Sequence, residues 1–305
     1  MSIASSEPPA SFTMSELHID VARNACDDFN LFHDKRRWQQ IQSNPFGGPI
    51  ALGFQLIQFI EHHCSCFRSA NQEDSVIIDH QLGYSNYQFN FISVVRPGQT
   101  VSLQIKPTKL HLTQYNPYIA NRVVLKADNA ISLIGFKSHS QQPLFGQRNN
   151  FMNTLKNTTL HDRKAIDSTP WFYKRKFSTN SDAKNFLISG GVDQADYFDD
   201  LADINNYTET YCCGLLSCAL LERAKSEGLS FVDNPMVYTQ QKMSVHTDNL
   251  RALRSAQPMH YIVDAAIENT ETQQQTYRCW ALNQDYDVLV QAELSLAPLL
   301  AILAT

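Results

Sequence analysis

The chain has 305 residues, of which 43% are apolar and 18% are charged. This length is enough for one large domain or two ordinary ones, and this composition excludes a disordered or fibrous protein. The net charge of -5 and the lack of a basic stripe argue against nucleic acid as a partner. No run of about 18 apolar residues occurs, so no transmembrane helix is predicted.

The N-terminal residues show no secretion signal. Residues 1–14 are rich in Ser, Pro and Ala and lack a basic stretch followed by an apolar one, so we expect a disordered tail.

The seven cysteines are odd in number, and most lie in apolar, helix-like contexts. This usage is typical of reduced thiols in a cytoplasmic protein. The cluster from His62 to Cys66 lacks a second pair of ligands at zinc-finger spacing, so no metal site is predicted.

An N-terminal unit is expected over residues 15–140, beginning with a long helix. Apolar residues occupy nearly every face of the segment from Phe46 to Phe67, which predicts a helix that is buried all round. Gly47 and Gly48 form the turn before this helix, and Pro49 suits its first position.

Strands are expected after this helix. They are predicted from Gln88 to Val95, Val101 to Pro107, Arg122 to Ala127 and Ala130 to Lys137. The segment Arg96-Pro97-Gly98-Gln99 predicts a turn between the first two strands. Asp128-Asn129 predicts the turn of a hairpin between the last two.

A second unit of the same layout is expected over residues 171–305, after a linker at 141–170 that is rich in Gln, Asn and Thr. Its helix is predicted from Tyr207 to Glu227, with Gly228 as the stop. Its strands are predicted from Val237 to Val245, His260 to Glu268, Gln275 to Asn283 and Val288 to Leu296. The repeated order of helix and strands indicates a diverged duplication.

Three motifs in the first half resemble those of one enzyme family. The segment Asp28-Phe29-Asn30-Leu31-Phe32-His33 and the segment from Phe46 to Gly53 resemble the MaoC-like hydratases, which carry Gly-Asp-x-Asn-Pro-x-His and Phe-x-x-Pro-Ile-Ala-His-Gly. The turn from Arg96 to Gln99 resembles their Arg-Pro-Gly-Asp turn. The whole chain also resembles a group of bacterial double-hotdog proteins. The resemblance implies an α+β fold in which two hotdog units, each a helix wrapped by an antiparallel sheet, share one chain.

The resemblance also implies a reaction in fatty acid metabolism. Such enzymes are (R)-specific hydratases that add water to an enoyl thioester, or dehydratases that remove it from a 3-hydroxyacyl thioester. The thioester is carried by coenzyme A or acyl carrier protein, and no cofactor or metal takes part. By the family's motif Asp28 would be chiefly the general base, and His33 would position the water or share the proton. Asn30 would orient the loop by side-chain hydrogen bonds.

Substrate binding is expected at the start of the first long helix. By the resemblance the amide of Gly53 would donate to the thioester oxygen, because a helix N-terminus presents free N–H groups and the positive end of the dipole. Phe46 and Gly48 are the other residues expected to contact the substrate.

Three departures from the family motifs keep alternatives open. Asp27 stands where the family has Gly, Leu31 where it has Pro, and Leu52 where it has His. Leu31 and Leu52 favour a non-catalytic module that binds acyl thioesters. A hotdog acyl thioesterase, in which Asp28 would activate water against the carbonyl carbon, is the other alternative. The arrangement of Asn30 and His33 favours the hydratase.

The second half is expected to hold a degenerate site. Asp203-Ile204-Asn205 resembles part of the first loop, but no His follows at the matching position. The sequence therefore predicts one working site per chain, and it leaves open whether the protein forms a homodimer.

Overall fold

The computed structural model describes residues 10–146, 155–156 and 158–303. One antiparallel sheet of 13 strands crosses the molecule, and a separate pair is formed by the ninth and tenth strands. The strands are, in chain order, β1 (Ser11–Thr13), β2 (Tyr84–Phe91), β3 (Thr100–Ile105), β4 (Lys109–His111), β5 (Tyr118–Ala127), β6 (Ala130–Ser140), β7 (Lys164–Ala165), β8 (Phe172–Phe177), β9 (Phe198–Asp199), β10 (Ile204–Asn205), β11 (Met236–His246), β12 (Pro258–Val263), β13 (Ile267–Asn269), β14 (Gln274–Leu282) and β15 (Val288–Pro298).

The α-helices pack against this sheet or connect its strands. They are α1 (Glu16–Cys26), α2 (Gly53–Ala70), α3 (Asp74–Asp79), α4 (Asn180–Ser189), α5 (Glu209–Ser226), α6 (Thr247–Arg251) and α7 (Leu299–Leu303). The central helices α2 and α5 have 18 residues each and contact one another. Both are rich in buried apolar residues, so the main hydrophobic core surrounds them.

The two halves join edge to edge through β2 and β11. These strands pair antiparallel, with Tyr87 opposite Met243. The strand order is β3-β5-β6-β2 in the first half and continues as β11-β15-β14-β12 in the second. Each half is therefore a central helix packed against four main strands, and the predicted α+β class is confirmed.

The first central helix begins later than predicted. Pro49 is not its first residue, because α2 starts at Gly53. The Ile50 N–H donates to the Phe32 carbonyl at 2.9 Å, and the Ala51 N–H donates to the Val95 carbonyl at 2.8 Å. These long-range hydrogen bonds hold the segment extended, and helix periodicity in the sequence does not report them.

The predicted N-terminal tail is too long. Residues 11–13 form β1, which pairs with β3, and Met14 is fully buried. Residues 1–9 of the predicted tail lie outside the described residues, as do residues 147–154 and 157 of the predicted linker. Within that linker segment, β7 pairs with β8.

The hairpin between β5 and β6 is confirmed, and two strand predictions need correction. Asp128 and Asn129 both have positive φ, 46° and 74°, as a tight hairpin turn requires. The strand predicted from Gln88 to Val95 instead runs from Tyr84 to Phe91 as β2. The strand predicted from His260 to Glu268 is broken into β12 and β13.

The cysteines are free thiols, of which only Cys66 is exposed. Cys64 is buried in the core, so its side chain and that of Cys66 do not converge. Nowhere in residues 10–146, 155–156 and 158–303 do three or more His, Cys, Asp or Glu side chains group as metal ligands. In the same residues no helix has the length and apolarity needed to cross a membrane.

Candidate active site

The loop that follows α1 begins with a left-handed residue. Asp27 has φ 50°, and its N–H donates to the carbonyls of Arg23 and Asn24, which caps α1. A left-handed cap of this kind favours Gly but also accepts Asp or Asn. Asp27, which stands at the family's Gly position, therefore preserves a backbone conformation that Gly adopts readily.

Asp28 is buried and uses both carboxylate oxygens. Its Oδ1 accepts the N–H of Asn30 at 2.8 Å, and its Oδ2 accepts the hydroxyl of Ser217 at 2.7 Å. The Tyr238 hydroxyl in turn donates to Ser217 Oγ at 3.3 Å. Ser217 lies on α5 and Tyr238 on β11, so the second half completes the surroundings of Asp28.

Asn30 shapes the loop rather than contacting Asp28 through its side chain. Its Oδ1 accepts the N–H of Phe32 at 3.2 Å, which caps a single 3-10 turn over residues 31–33. Leu31 occupies the first position of this turn, where the family has Pro. The turn directs His33 towards the start of α2.

His33 is buried and has a defined tautomer. Its Nδ1 lies 2.7 Å from the Ile50 carbonyl oxygen, which can only accept, so Nδ1 carries the proton and Nε2 is a free base. Burial lowers the pKa of His33, and the nearby charge of Asp28 offsets part of that effect. The imidazole is therefore neutral near pH 7 and able to take a proton.

A cavity of about 390 Å³, the first cavity, opens beside His33. Of the residues predicted from the sequence, it brings together His33, Asn30, Gly53 and Phe46. Asp28 does not line the cavity; it lies behind the wall and reaches the lining residue Tyr238 through Ser217. Gly48 also does not line it, and no atom lies within 4 Å of a Cβ added there.

Most of the first cavity is apolar. Its walls come from the extended segment before α2, from the end of β2 and the residues after it, and from β11. Helix α7 closes one side with Leu299, Ile302 and Leu303. Arg96 is a charged residue of the lining and is exposed.

Gly53 is held close to its neighbours at the N-terminus of α2. A Cβ added there would lie 2.7 Å from the Phe91 ring, so no larger residue fits without movement. The same Cβ would lie 3.5 Å from Nε2 of Gln241, whose buried side-chain amide has no hydrogen-bond partner among the described residues. Leu52, at the family's His position, is buried and precedes the helix as its N-cap.

The second half has an equivalent loop, but not where the sequence suggested. The Val192 N–H donates to the Leu187 carbonyl, and the residue before it, Gly191, has positive φ. In the first half the Asp28 N–H donates to the Arg23 carbonyl in the same way, and the residue before it, Asp27, also has positive φ. Val192 therefore takes the place of Asp28, and a 3-10 turn follows at Gln194–Asp196, as one does after Asn30. The predicted copy, Asp203-Ile204-Asn205, instead leads into and forms β10.

The N-terminus of α5 is also unlike that of α2. Its first residue is Glu209, whose carboxylate accepts hydrogen bonds from Ser85, Tyr87 and Lys137. Burial opposes ionisation, but Lys137 and the two hydroxyls hold the pKa of Glu209 below its ordinary value. A carboxylate of the protein itself therefore sits where α2 presents only Gly53.

Sequence reasoning missed Ser217, Tyr238 and Glu209. Each is remote in sequence from the group it contacts: Ser217 and Asp28 are 189 positions apart, and Glu209 and Lys137 are 72 apart. For Ser217 and Glu209 the signal in the sequence was a hydroxyl or carboxylate inside a buried helix, because a polar group buried there needs a partner.

Comparison with known proteins identifies the fold. No protein-family model matches the chain, and no curated protein matches its sequence. A MaoC-like dehydratase of known structure is 9% identical, with 94% of this chain and 95% of that one covered at a TM-score of 0.58. A Mycobacterium tuberculosis protein described as having a double hotdog fold is 9% identical, with 96% of each chain covered, at a TM-score of 0.55. A MaoC-like dehydratase from Phytophthora capsici is 12% identical, with 94% of this chain and 95% of that one covered, at a TM-score of 0.50.

The chain therefore has the double hotdog fold, as its motifs implied. The likeness to MaoC-like dehydratases extends over nearly the whole chain. At these identities it shows the fold alone.

Proposed function

We propose that the protein is an (R)-specific enoyl thioester hydratase, which also runs in reverse as a 3-hydroxyacyl thioester dehydratase. The observation that carries this proposal is the neutral imidazole of His33, set at the wall of an apolar cavity beside Gly53. The substrate would be an acyl thioester of coenzyme A or acyl carrier protein, and the residues invoked need no cofactor or metal.

His33 is the residue best placed to handle the proton. As water oxygen adds to C3 of the enoyl thioester, His33 Nε2 takes a proton from that water. The imidazolium then returns a proton to C2, so that one water is added across the double bond. The sequence motif assigned the base role chiefly to Asp28, but the position of His33 in the cavity wall favours His33.

Asp28 supports this step from behind the wall. Its negative charge favours the imidazolium form of His33, which the protonation step creates. The hydrogen bond from Ser217 and the N–H of Asn30 hold its carboxylate in place. Tyr238 lines the cavity and connects it to Asp28 through Ser217. A hydrogen bond between the substrate and Tyr238 would therefore alter the hydrogen bonding of Asp28.

Gly53 would stabilise the charge that forms on the thioester oxygen. When water adds to C3, an electron pair moves to that oxygen and makes an enolate. The N–H groups in the first turn of α2 have no partner within the helix and lie at its positive end. Such a donor is worth about 10²–10³ in rate in comparable oxyanion sites. The apolar walls, including Phe46 and α7, would hold the acyl chain.

A direct assay tests the proposal. Purified full-length protein is incubated with crotonyl-CoA and longer enoyl-CoAs, and loss of the conjugated enoyl absorbance is followed. We expect turnover by the wild type and a loss of about 10²–10⁴ in His33→Ala, the usual contribution of general acid–base catalysis. Asp28→Asn should also be impaired, whereas His111→Ala, a change at an exposed histidine on β4, should keep wild-type activity. Equal rates in wild type and His33→Ala at every chain length would rule the hydratase out.

Two observations favour a non-catalytic acyl-thioester module as a second candidate. Both carboxylate oxygens of Asp28 already accept hydrogen bonds from the protein, and Leu52 replaces a family His. Thermal stabilisation by acyl-CoA without turnover would support that candidate. Release of free coenzyme A thiol in the same assay would instead identify a thioesterase.

A further inference from the structure

Gln241 is a buried glutamine that faces the core from β11. Its side chain is 0% exposed, and neither Nε2 nor Oε1 has a hydrogen-bond partner in the described part of the chain. The residues opposite it on the neighbouring strands are Phe89 on β2 and Leu294 on β15, and both belong to the hydrophobic core. Among the described residues, the amide of Gln241 therefore has only apolar neighbours across the sheet.

A glutamine in these surroundings costs stability. A buried amide that makes no hydrogen bond loses its contacts with water and gains nothing in exchange. A leucine is of similar size and would occupy the position without that cost. Buried polar atoms in native proteins nearly always have a partner, so an amide left without one indicates a group that arrives from outside the chain.

The amide of Gln241 lies at the start of α2. A Cβ added to Gly53 would lie 3.5 Å from Gln241 Nε2. Gly53 is the first residue of α2, where the backbone N–H has no partner within the helix and the positive end of the dipole lies. A backbone donor and a side-chain donor are therefore neighbours at the helix end that lines the first cavity.

Both donors suit the same group of an acyl thioester. We propose that Gln241 Nε2 is a second donor to the thioester oxygen of the substrate, beside the N–H of Gly53. A carbonyl oxygen has two lone pairs and can accept both hydrogen bonds. The enolate oxygen that forms when water adds to C3 carries more negative charge, so the two donors stabilise the transition state more than the substrate. The inference rests on the proposed function in one respect, namely that the first cavity takes an acyl thioester.

The Phe91 ring moves before a ligand reaches Gln241. Gln241 does not line the first cavity, whereas Phe91, the last residue of β2, does. The ring atoms nearest to a Cβ added at Gly53 are Cζ and Cε1, at 2.7 and 3.0 Å. These atoms are the far end of the side chain, so rotation about the side-chain bonds of Phe91 displaces them without a change in the backbone. The ring thus covers the two donors until the substrate displaces it.

Two unreactive ligands test the proposal separately from the reaction. Butyryl-CoA has the carbonyl oxygen that Gln241 would contact, and the thioether S-butyl-CoA lacks it. Calorimetry is carried out with both ligands on the full-length wild type, on Gln241→Leu and on the control Gln240→Leu. Gln240 is the neighbouring residue of β11, points to the other face of the sheet and donates to Asn90 Oδ1 at 2.9 Å.

The proposal predicts an effect on one ligand only. Gln241→Leu should weaken binding of butyryl-CoA by about threefold to tenfold, the range of one neutral hydrogen bond, and leave S-butyl-CoA within about twofold. Gln240→Leu should leave both affinities unchanged. An equal effect of Gln241→Leu on both ligands would mean that Gln241 only shapes the cavity. That result, no effect on either ligand, or no detectable binding of butyryl-CoA to the wild type would each overturn the proposal.

Turnover separates this proposal from the proposed function. In the crotonyl-CoA assay Gln241→Leu should lower kcat/KM by about 10²-fold, mainly through kcat, because the donor acts on the enolate more than on the substrate. If the wild type turns over no enoyl-CoA, the hydratase proposal fails, and the comparison of butyryl-CoA with S-butyl-CoA still decides the role of Gln241. If the wild type is active and folded Gln241→Leu keeps the full rate, the proposal for Gln241 fails and the proposed function stands.

Discussion

The two central helices have equal length and begin in opposite ways. α2 begins at Gly53, whose neighbours leave no room for a Cβ, and faces an apolar cavity. α5 begins at Glu209, whose carboxylate accepts hydrogen bonds from three side chains of the first half. A helix N-terminus attracts negative charge in both cases. The start of α2 carries no such carboxylate, and the start of α5 is occupied by the protein's own.

Each central helix also carries a polar residue at its ninth position that faces the other half. The ninth residue of α5 is Ser217, which holds Asp28 beside the first cavity. The ninth residue of α2 is Glu61, which lines a cavity of about 680 Å³ at the N-terminus of α5. The two helices therefore place a polar residue at the same position, and each of these residues faces groups of the other half.

The largest effect is expected from breaking the ion pair at the start of α5. Lys137→Met removes the buried cation beside Glu209, whose side chain is 17% exposed, which should lower the free energy of unfolding by about 3 kcal/mol. Urea unfolding followed by circular dichroism measures this change. The matched control is Lys184→Met, whose partner Asp200 is exposed and whose loss should cost no more than about 1 kcal/mol. Equal losses of unfolding free energy in the two variants would show that burial does not increase the contribution of the Lys137–Glu209 pair to stability.

Closing the start of α2 should affect the first cavity next most strongly. In Gly53→Ala the new Cβ would meet the Phe91 ring at 2.7 Å, and overpacking of this kind costs about 1–3 kcal/mol. We expect kcat/KM for crotonyl-CoA to fall by about tenfold or more, because the helix end and the substrate are displaced. Gly146→Ala, where nothing lies within 4 Å of the new Cβ, is the control and should be unaffected. An unimpaired Gly53→Ala enzyme would exclude this helix end from the reaction.

Glu61 should make the stability of the protein depend on pH in a defined window. Burial first, and Glu209 second, raise its pKa in the folded state from 4.5 to about 8. A raised pKa means that the folded state holds the proton more tightly, so stability from this group is present below pH 4.5 and is lost as pH rises to about 8. Glu61→Gln cannot ionise and should lose less stability than the wild type between pH 5 and pH 8.5. Parallel pH profiles of the unfolding free energy would show that Glu61 does not titrate there.

The smallest effect is expected beside Gly53, at a buried amide. Both side-chain polar atoms of Gln241 lack a partner in the described part of the chain, so Gln241→Leu should raise the free energy of unfolding by about 1 kcal/mol. Gln55→Leu is the matched control, because Gln55 is equally buried but donates to the Ser189 carbonyl at 2.6 Å. That variant should lose stability. A loss in Gln241→Leu as well would mean that its amide is bonded in solution.

Local patterns were sufficient for the α+β class and for most element types. The hairpin at Asp128 and Asn129, the second central helix and the strand from Val288 are specified by neighbouring residues and formed close to their predicted bounds. The motif from Asp28 to His33 also acts within a few positions, since Asn30 caps its own turn. The start of α2 was misplaced because Ile50 and Ala51 form hydrogen bonds with Phe32 and Val95, which periodicity does not reveal.

The sequence by itself therefore determined the α+β class and the repeated order of helix and strands, and its motifs, which resemble those of double hotdog proteins, pointed to the loop that carries His33, because those signals depend on residues near one another in the chain. Only the tertiary structure decided which groups surround them. It placed Asp28 behind the cavity wall, brought Ser217 to it from 189 positions away, and filled the start of α5 with Glu209. Hydrogen bonds and charges act through space, so the difference between the two helix ends appears only when both halves are folded together.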